Sequence, residues 1–169
     1  AGIRVLDLTV IMAGPIATMM LADQGADVIK IEPPQGDLLR KLGHKHQGMS
    51  GSFLSCNRSK RSLCVDVKTA AGLEVVKKLA ATADVLVQNF RPGAIERMGL
   101  GEDVVRAIRP DIIYVSMSGF GESGPYAHQR VYDPVIHAIS GLADIQRDRE
   151  TGQPRMVRTV MPDKTTALT

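Results

Sequence analysis

Six residues before the last residue of the 169-residue sequence, the stretch RMVRTVMPDKTTALT carries a single carboxylate, Asp163. An aspartate between Pro162 and KTTALT reads first as a helix N-cap, since a carboxylate there accepts the unpaired amides of the first turn. The same position suits a nucleophile. A helix dipole favours the ionised carboxylate at its start, and ionised carboxylates can form covalent acyl intermediates. On the residues alone, both readings stand.

Two further stretches could hold an anionic ligand. TVIMAGPIAT joins a strand to a helix through a glycine-containing turn, and such turns present unpaired amides to anions. It lacks G-x-G-x-x-G, so dinucleotide binding is not supported. A plain turn and a phosphate or pantetheine contact both stay open. CNRSKRSLCVDVK places Arg58, Lys60, Arg61 and Lys68 around the start of a strand. That cluster is either a solvated basic loop or a phosphate site.

Other constellations carry less. GESGP has Pro125 where a nucleophile elbow needs glycine, so Ser123 reads as a turn residue. His44 and His46, even with Cys56, match no zinc spacing, so they read as a solvated loop and no metal is expected. Cys64 reads as a small core residue of a Val/Leu strand. Two cysteines without a C-x-x-C pair argue against a disulfide framework and suit a reducing cytoplasm.

Short Val/Ile-rich runs alternating with helical stretches position these groups, the pattern of an α/β protein with a parallel sheet flanked by helices. Strands are expected at IRVLDL (3–8), DVIKI (27–31), SLCVDV (62–67), DVLVQN (84–89) and IIYVSMS (112–118). Helices are expected at GPIATMMLADQ, with Pro15 in its first turn and Gly25 at its C-terminus, and at TAAGLEVVKKLAATA, capped by Thr69. Further helical stretches are PGAIERMG, GEDVVRAIRP and YDPVIHAISGLA, with a turn at RDRETGQP. Residues 33–60 show no periodicity and read as a long functional loop.

Composition excludes several classes. Apolar content of 44% and charged content of 23% are those of an ordinary globular chain. No apolar run approaches the roughly 20 residues of a membrane span, and the chain opens on a strand pattern rather than a signal peptide. The formal charge of +3 is mild; with no Trp, three Tyr and three Phe, and scattered cations, nucleic acid is a poor partner.

The order of the motifs is more informative than any one of them. LDLTVIMAGPIATMMLADQGADVIKIEPPQGD, NRSKRSLCVDVK, VLVQNFRPGAIERMGL, GFGESGPYAHQRVYDP and PDKTTALT together resemble the class III coenzyme A transferases, a family that also includes α-methylacyl-CoA racemase. The resemblance runs along essentially the whole chain. It implies a Rossmann-like CoA-binding domain, of which residues 1–169 are the N-terminal part. It also implies a longer two-domain chain whose small domain lies beyond this sequence, an interlocked homodimer, and acyl-CoA and a carboxylic acid as substrates without a permanent cofactor.

Carried over position by position, the resemblance makes Ile11, Met12 and Ala13 CoA contacts in the first turn. Val65 and Lys68 follow after the basic loop, then Asn89, Phe90, Arg97 and Met98, and finally Arg130. Asp163 matches the family's catalytic aspartate. Pro33 stands where the best-known transferase has an arginine, so a phosphate contact there is lost or supplied elsewhere, for instance by Arg40. Tyr132–Asp133 stands where the racemase branch has His–Asp, which favours CoA transfer over racemisation. A non-catalytic CoA-binding module is the remaining alternative.

Overall fold

The computed structural model describes residues 2–169, which form two compact units, one through Ser118 and one from Gly119 to Thr169. The first unit is built on five parallel strands: β1 (Arg4–Asp7), β2 (Asp27–Glu32), β5 (Arg61–Cys64), β6 (Val85–Gln88) and β7 (Ile113–Ser116). Their spatial order is β5-β2-β1-β6-β7, with Val5 opposite both Val28 and Val85. The chain thus winds outward from β1 to β2 and β5, then returns to the other side of β1. Two short strands, β3 (Lys45–His46) and β4 (Met49–Ser50), pair separately as an antiparallel hairpin.

Strand residues alternate between two cores. Leu6, Ile29 and Leu86 face one side, packing with Val76 and Ala80 of α3 (Ala70–Ala80) and Val105 of α5 (Glu102–Ile108). Val5, Val28 and Val87 face the other, packing with Ala22 of α1 (Ala13–Asp23). Helices therefore cover both faces, which is why β1, β2 and β6 read as nearly continuous apolar runs. Each such side chain contributes about 1.5–3 kcal/mol by leaving water. α1 ends as expected, with Gly25 at φ +96°, and Thr69 Oγ1 accepts the Gly72 amide at 3.1 Å to cap α3.

Residues 33–60 are not the loop expected from sequence. They hold a 3-10 turn at Leu38–Lys41, the β3–β4 hairpin and helix α2 (Gly51–Asn57), which Ser50 caps through the Phe53 amide. Leu39, Phe53 and Cys56 form a small core there, joined by Met12 and Ile16. Cys64 is also a correction: it is exposed on edge strand β5, where one face of the strand is left open. α4 (Ala94–Arg97) completes the unit.

The second unit contains α6 (Asp133–Ile139), α7 (Leu142–Ile145) and α8 (Met161–Leu168). The helix expected over 132–143 breaks at Gly141, whose φ of +77° starts α7 anew. The turn at 147–154 forms as expected, with Asp148 Oδ1 accepting the amides of Glu150 and Thr151. Among the described residues, no helix is long and apolar enough to cross a membrane.

Candidate active site

In a parallel sheet, ligands bind beyond the carboxyl ends of the strands, at the crevice where strand order reverses. Here that crevice lies between β1 and β6. Ile11, Met12 and Ala13 follow the end of β1, Val65 and Lys68 follow β5, and Asn89 and Phe90 follow β6. The expected contacts in the first unit thus follow the carboxyl ends of β1, β5 and β6, except Arg97 and Met98, which lie at the end of α4 (Ala94–Arg97).

The turn after β1 is pinned at three successive residues. Thr9 donates its amide to Asp7 Oδ1 at 2.9 Å, and its carbonyl accepts Lys30 Nζ at 2.7 Å. Val10 exchanges two hydrogen bonds with the Asn89 side chain, each 2.9 Å. Ile11 donates its amide to Asp37 Oδ1 at 3.2 Å. These pins hold Ile11 at φ +70°, a conformation that is a genuine outlier for a β-branched residue. Strain of this kind persists only where the surroundings over-determine it. Gly14 completes the close approach, since a Cβ there would fall 2.4 Å from Thr9 Cβ. No side chain caps α1, so the amides of its first turn are left to solvent or a ligand.

Asn89 therefore joins the two loops across the crevice. Val65, Phe90 and Met98 are partly buried against the main core, which leaves them edges rather than whole side chains for a ligand. Lys68 and Arg97 are exposed and form no ion pair among the described residues.

The basic cluster resolves differently from either sequence reading. Lys60, with a side chain 2% exposed, donates to Asp7 Oδ2 (2.9 Å), Pro15 O (2.8 Å) and Asn57 Oδ1 (2.9 Å). Burial pulls its ammonium below the usual lysine range, with the Asp7 charge opposing. Arg58 pairs with Asp23 and Arg61 with Asp27. Three of the four cations are thus spoken for by aspartates, and only Lys68 is available to a phosphate. Arg40 is likewise engaged, gripping both Glu32 oxygens (2.6 and 2.7 Å) and lying 3.7 Å over the Phe53 ring. Burial alone would raise the Glu32 carboxyl, but Arg40, Ser62 and the Asp37 amide bring it down to about 2.

In the second unit, Asp163 occupies the first turn of α8 rather than its cap; Val160 takes the capping position and Pro162 lies inside the helix. The correction follows from Pro162, whose fixed φ suits the first helical turn. The Asp163 amide donates to Asp133 Oδ1 at 3.0 Å. Its half-buried carboxylate accepts no hydrogen bond among the described residues. Burial, then the neighbouring Asp133 charge, pushes the Asp163 carboxyl above the ordinary range. The dipole argument alone pointed the other way; desolvation and a like charge outweigh it. Arg130 lies exposed just before α6.

The structure adds residues that sequence reasoning passed over. Asp37 and Lys30, buried 2.9 Å apart, brace the turn after β1. Asp133 had figured only as part of a branch-distinguishing pair. His44 lies exposed just before β3 and His46 exposed within it, and no group of ligating side chains suited to a metal occurs among the described residues.

Comparison with known proteins agrees with the fold. The family described as CoA-transferase family III matches residues 1–169. The chain is 44% identical over 169 residues to succinyl-CoA:glutarate CoA-transferase of Mus musculus, covering 99% of this chain and 38% of that protein. It is 45% identical over 141 residues to formyl-CoA:oxalate CoA-transferase of Streptomyces avermitilis, covering 83% of this chain and 34% of that protein. A solved CAIB/BAIF family protein from Brucella suis superposes with a TM-score of 0.93 at 38% identity, over 99% of this chain and 45% of the other. The chain thus spans less than half the length of these relatives. With its sheet, its pinned first turn and its ordered motifs all accounted for, the chain belongs to CoA-transferase family III.

Proposed function

We propose that the protein moves coenzyme A from an acyl-CoA thioester to a carboxylic acid, with Asp163 as the covalent nucleophile. The observation that carries this reading is the state of Asp163: half-buried, free of hydrogen bonds to its carboxylate, and weakened as an acid by burial and Asp133. A carboxylate whose conjugate acid is weaker is the better nucleophile once ionised, and one without protein donors has no intramolecular hydrogen bond to break before attack.

The steps need only carboxylates and a thiolate. Asp163 attacks the acyl carbonyl; the C–S bond breaks, giving a mixed anhydride and CoA thiolate. The thiolate attacks the aspartyl carbonyl, releasing the donor acid and leaving an aspartyl-CoA thioester. The acceptor carboxylate then displaces CoA to form a second anhydride. Return of the thiolate to the new acyl carbonyl gives the new acyl-CoA and restores Asp163. Both sides carry one thioester and one carboxylate, so the exchange is nearly thermoneutral.

The turn after β1 supports CoA binding through Ile11, Met12 and Ala13, with Lys68, Arg97 and Arg130 as the cations suited to its phosphates. Val65, Asn89, Phe90 and Met98 fit the same role. The names of the relatives favour succinyl-CoA and a dicarboxylic acid as first substrates to try. An interlocked homodimer in a reducing cytoplasm belongs to the same reading. His137 is 1% exposed, which argues against its serving as a racemase base.

Incubating the full-length protein with succinyl-CoA, followed by intact-mass measurement, tests the proposal. A CoA-sized adduct on Asp163, removable by hydroxylamine, is expected. Exchange of α-protons in deuterated water without an adduct would mean racemisation, and binding without either would mean a carrier module.

A further inference from the structure

Helix α8 has no side-chain cap of its own, although the amides of a first turn need an acceptor. Asp133, thirty residues earlier at the start of α6, supplies it by accepting the Asp163 amide through Oδ1 at 3.0 Å. Its other oxygen, Oδ2, lies 3.0 Å from Nε2 of His137, one turn along α6. His137 is 1% exposed, and neither ring nitrogen has a well-aligned hydrogen bond among the described residues. A buried imidazole without partners is costly, and an apolar residue of the same shape would fill the space at less cost. The carboxylate facing the ring is the one that holds the backbone of Asp163.

We propose that His137 is a positioning residue: it fixes the orientation of the Asp133 carboxylate, and through it the first turn of α8 from which Asp163 projects. The proposal rests on the reading of Asp163 as the nucleophile. Without His137, the Asp133 carboxylate is free to rotate about its last bond, and the Asp163 amide loses a fixed acceptor. Placement errors of about an ångström can cost about a hundredfold in rate. The effect belongs to the chemical step, because none of the residues proposed to hold CoA takes part in this contact.

The test uses the full-length protein and succinyl-CoA, reading the rate at which the Asp163 adduct forms in a single turnover. His137→Phe keeps the ring and removes the nitrogen that faces Oδ2; it is expected to slow the adduct about tenfold to a hundredfold with KM for succinyl-CoA unchanged. His137→Gln, which reaches Oδ2 with an amide N–H, should stay within about threefold of the parent. His137→Asn fits the space but falls short of Oδ2, and carries the same expected loss if the Phe variant fails to fold. In an Asp133→Asn background the His137 substitutions should add little further loss, as residues acting through one group do. Equal losses in Phe and Gln, an unchanged adduct rate in Phe or Asn, or a change confined to KM would overturn the positioning role. If the unsubstituted protein forms no adduct, the nucleophile reading itself fails.

Discussion

Lys60 offers the sharpest test of how the turn after β1 is held. Its Nζ spends all three protons, on Asp7, Pro15 O and Asn57, inside a space where its side chain is 2% exposed and that of Asp7 0%. Burial lowers the Lys60 pKa despite the aspartate beside it, so desolvation outweighs the Coulombic return. By sign, a base depressed on folding stabilises above its unfolded pKa and loses that contribution as pH falls, so at neutral pH the charged pair is no bonus. Removing one partner is another matter. Lys60→Met strands the Asp7 charge and should cost about 3–5 kcal/mol, or about two to four powers of ten in protection. Adding Asp7→Asn removes the stranded charge while keeping an acceptor for the Thr9 amide and hydroxyl. The double variant should therefore recover at least about 1 kcal/mol, leaving the unpaired Asn57 oxygen and the Thr18 hydroxyl's lost bond to Asp7 Oδ2 as the residual cost. Hydrogen exchange read by mass on peptides covering β1 and α1 measures this locally, without requiring two-state unfolding of the whole protein. If Lys60→Met costs less than about 1 kcal/mol, or if Asp7→Asn deepens the loss, the stranded-charge argument is wrong.

Two other outcomes follow from the carboxylates. Asp163 is a weaker acid in the folded chain, so its protonated form stabilises below the ordinary carboxylate pKa and that contribution is lost as pH rises. Asp163→Asn should therefore raise the melting temperature at pH 7 while abolishing the CoA adduct, and the stability gain should vanish in thermal scans near pH 3. Glu32 behaves oppositely: brought from 4.5 down to about 2, it stabilises above its unfolded pKa, and this is lost as pH falls through that window. The contribution is at most about 3 kcal/mol, less what solvent screens around the partly exposed Arg40. Acid titrations of Glu32→Gln should lack the corresponding loss between about pH 4.5 and 2.

The strands were legible because a doubly covered parallel sheet demands runs such as VLD and VIKI, and the caps at Thr69 and Gly25 carry local chemistry. Helix α2 was not, because GSFLSCN has no helical repeat; it is held by Phe53 and Cys56 packing on Leu39 and by the Ser50 cap. The basic stretch showed its charges but not their partners, which lie 53, 35 and 34 residues away at Asp7, Asp23 and Asp27. Asp163 looked like a cap because a proline precedes it, yet that proline belongs to the helix, and the cap comes from another helix altogether. Ile11 gave no sign at all. A β-branched residue is the least expected at positive φ, and only the three pins around it explain the conformation.

The two features have one physical origin. Ile11 is strained and Asp163 is desolvated beside a like charge, so each is a local cost that sequence rules would avoid. Costs of this kind survive where the surroundings leave no alternative. At Ile11 the constraint comes from Asp7, Asn89 and Asp37, contributed by three different segments of the chain. At Asp163 it comes from Asp133, which holds the backbone while its charge unsettles the side chain. That combination is informative. A purely structural aspartate would have its carboxylate hydrogen-bonded and its acidity strengthened, as Glu32 does. Asp163 has its backbone fixed and its carboxylate without a hydrogen bond among the described residues, which supports the proposed nucleophilic role over a scaffold one.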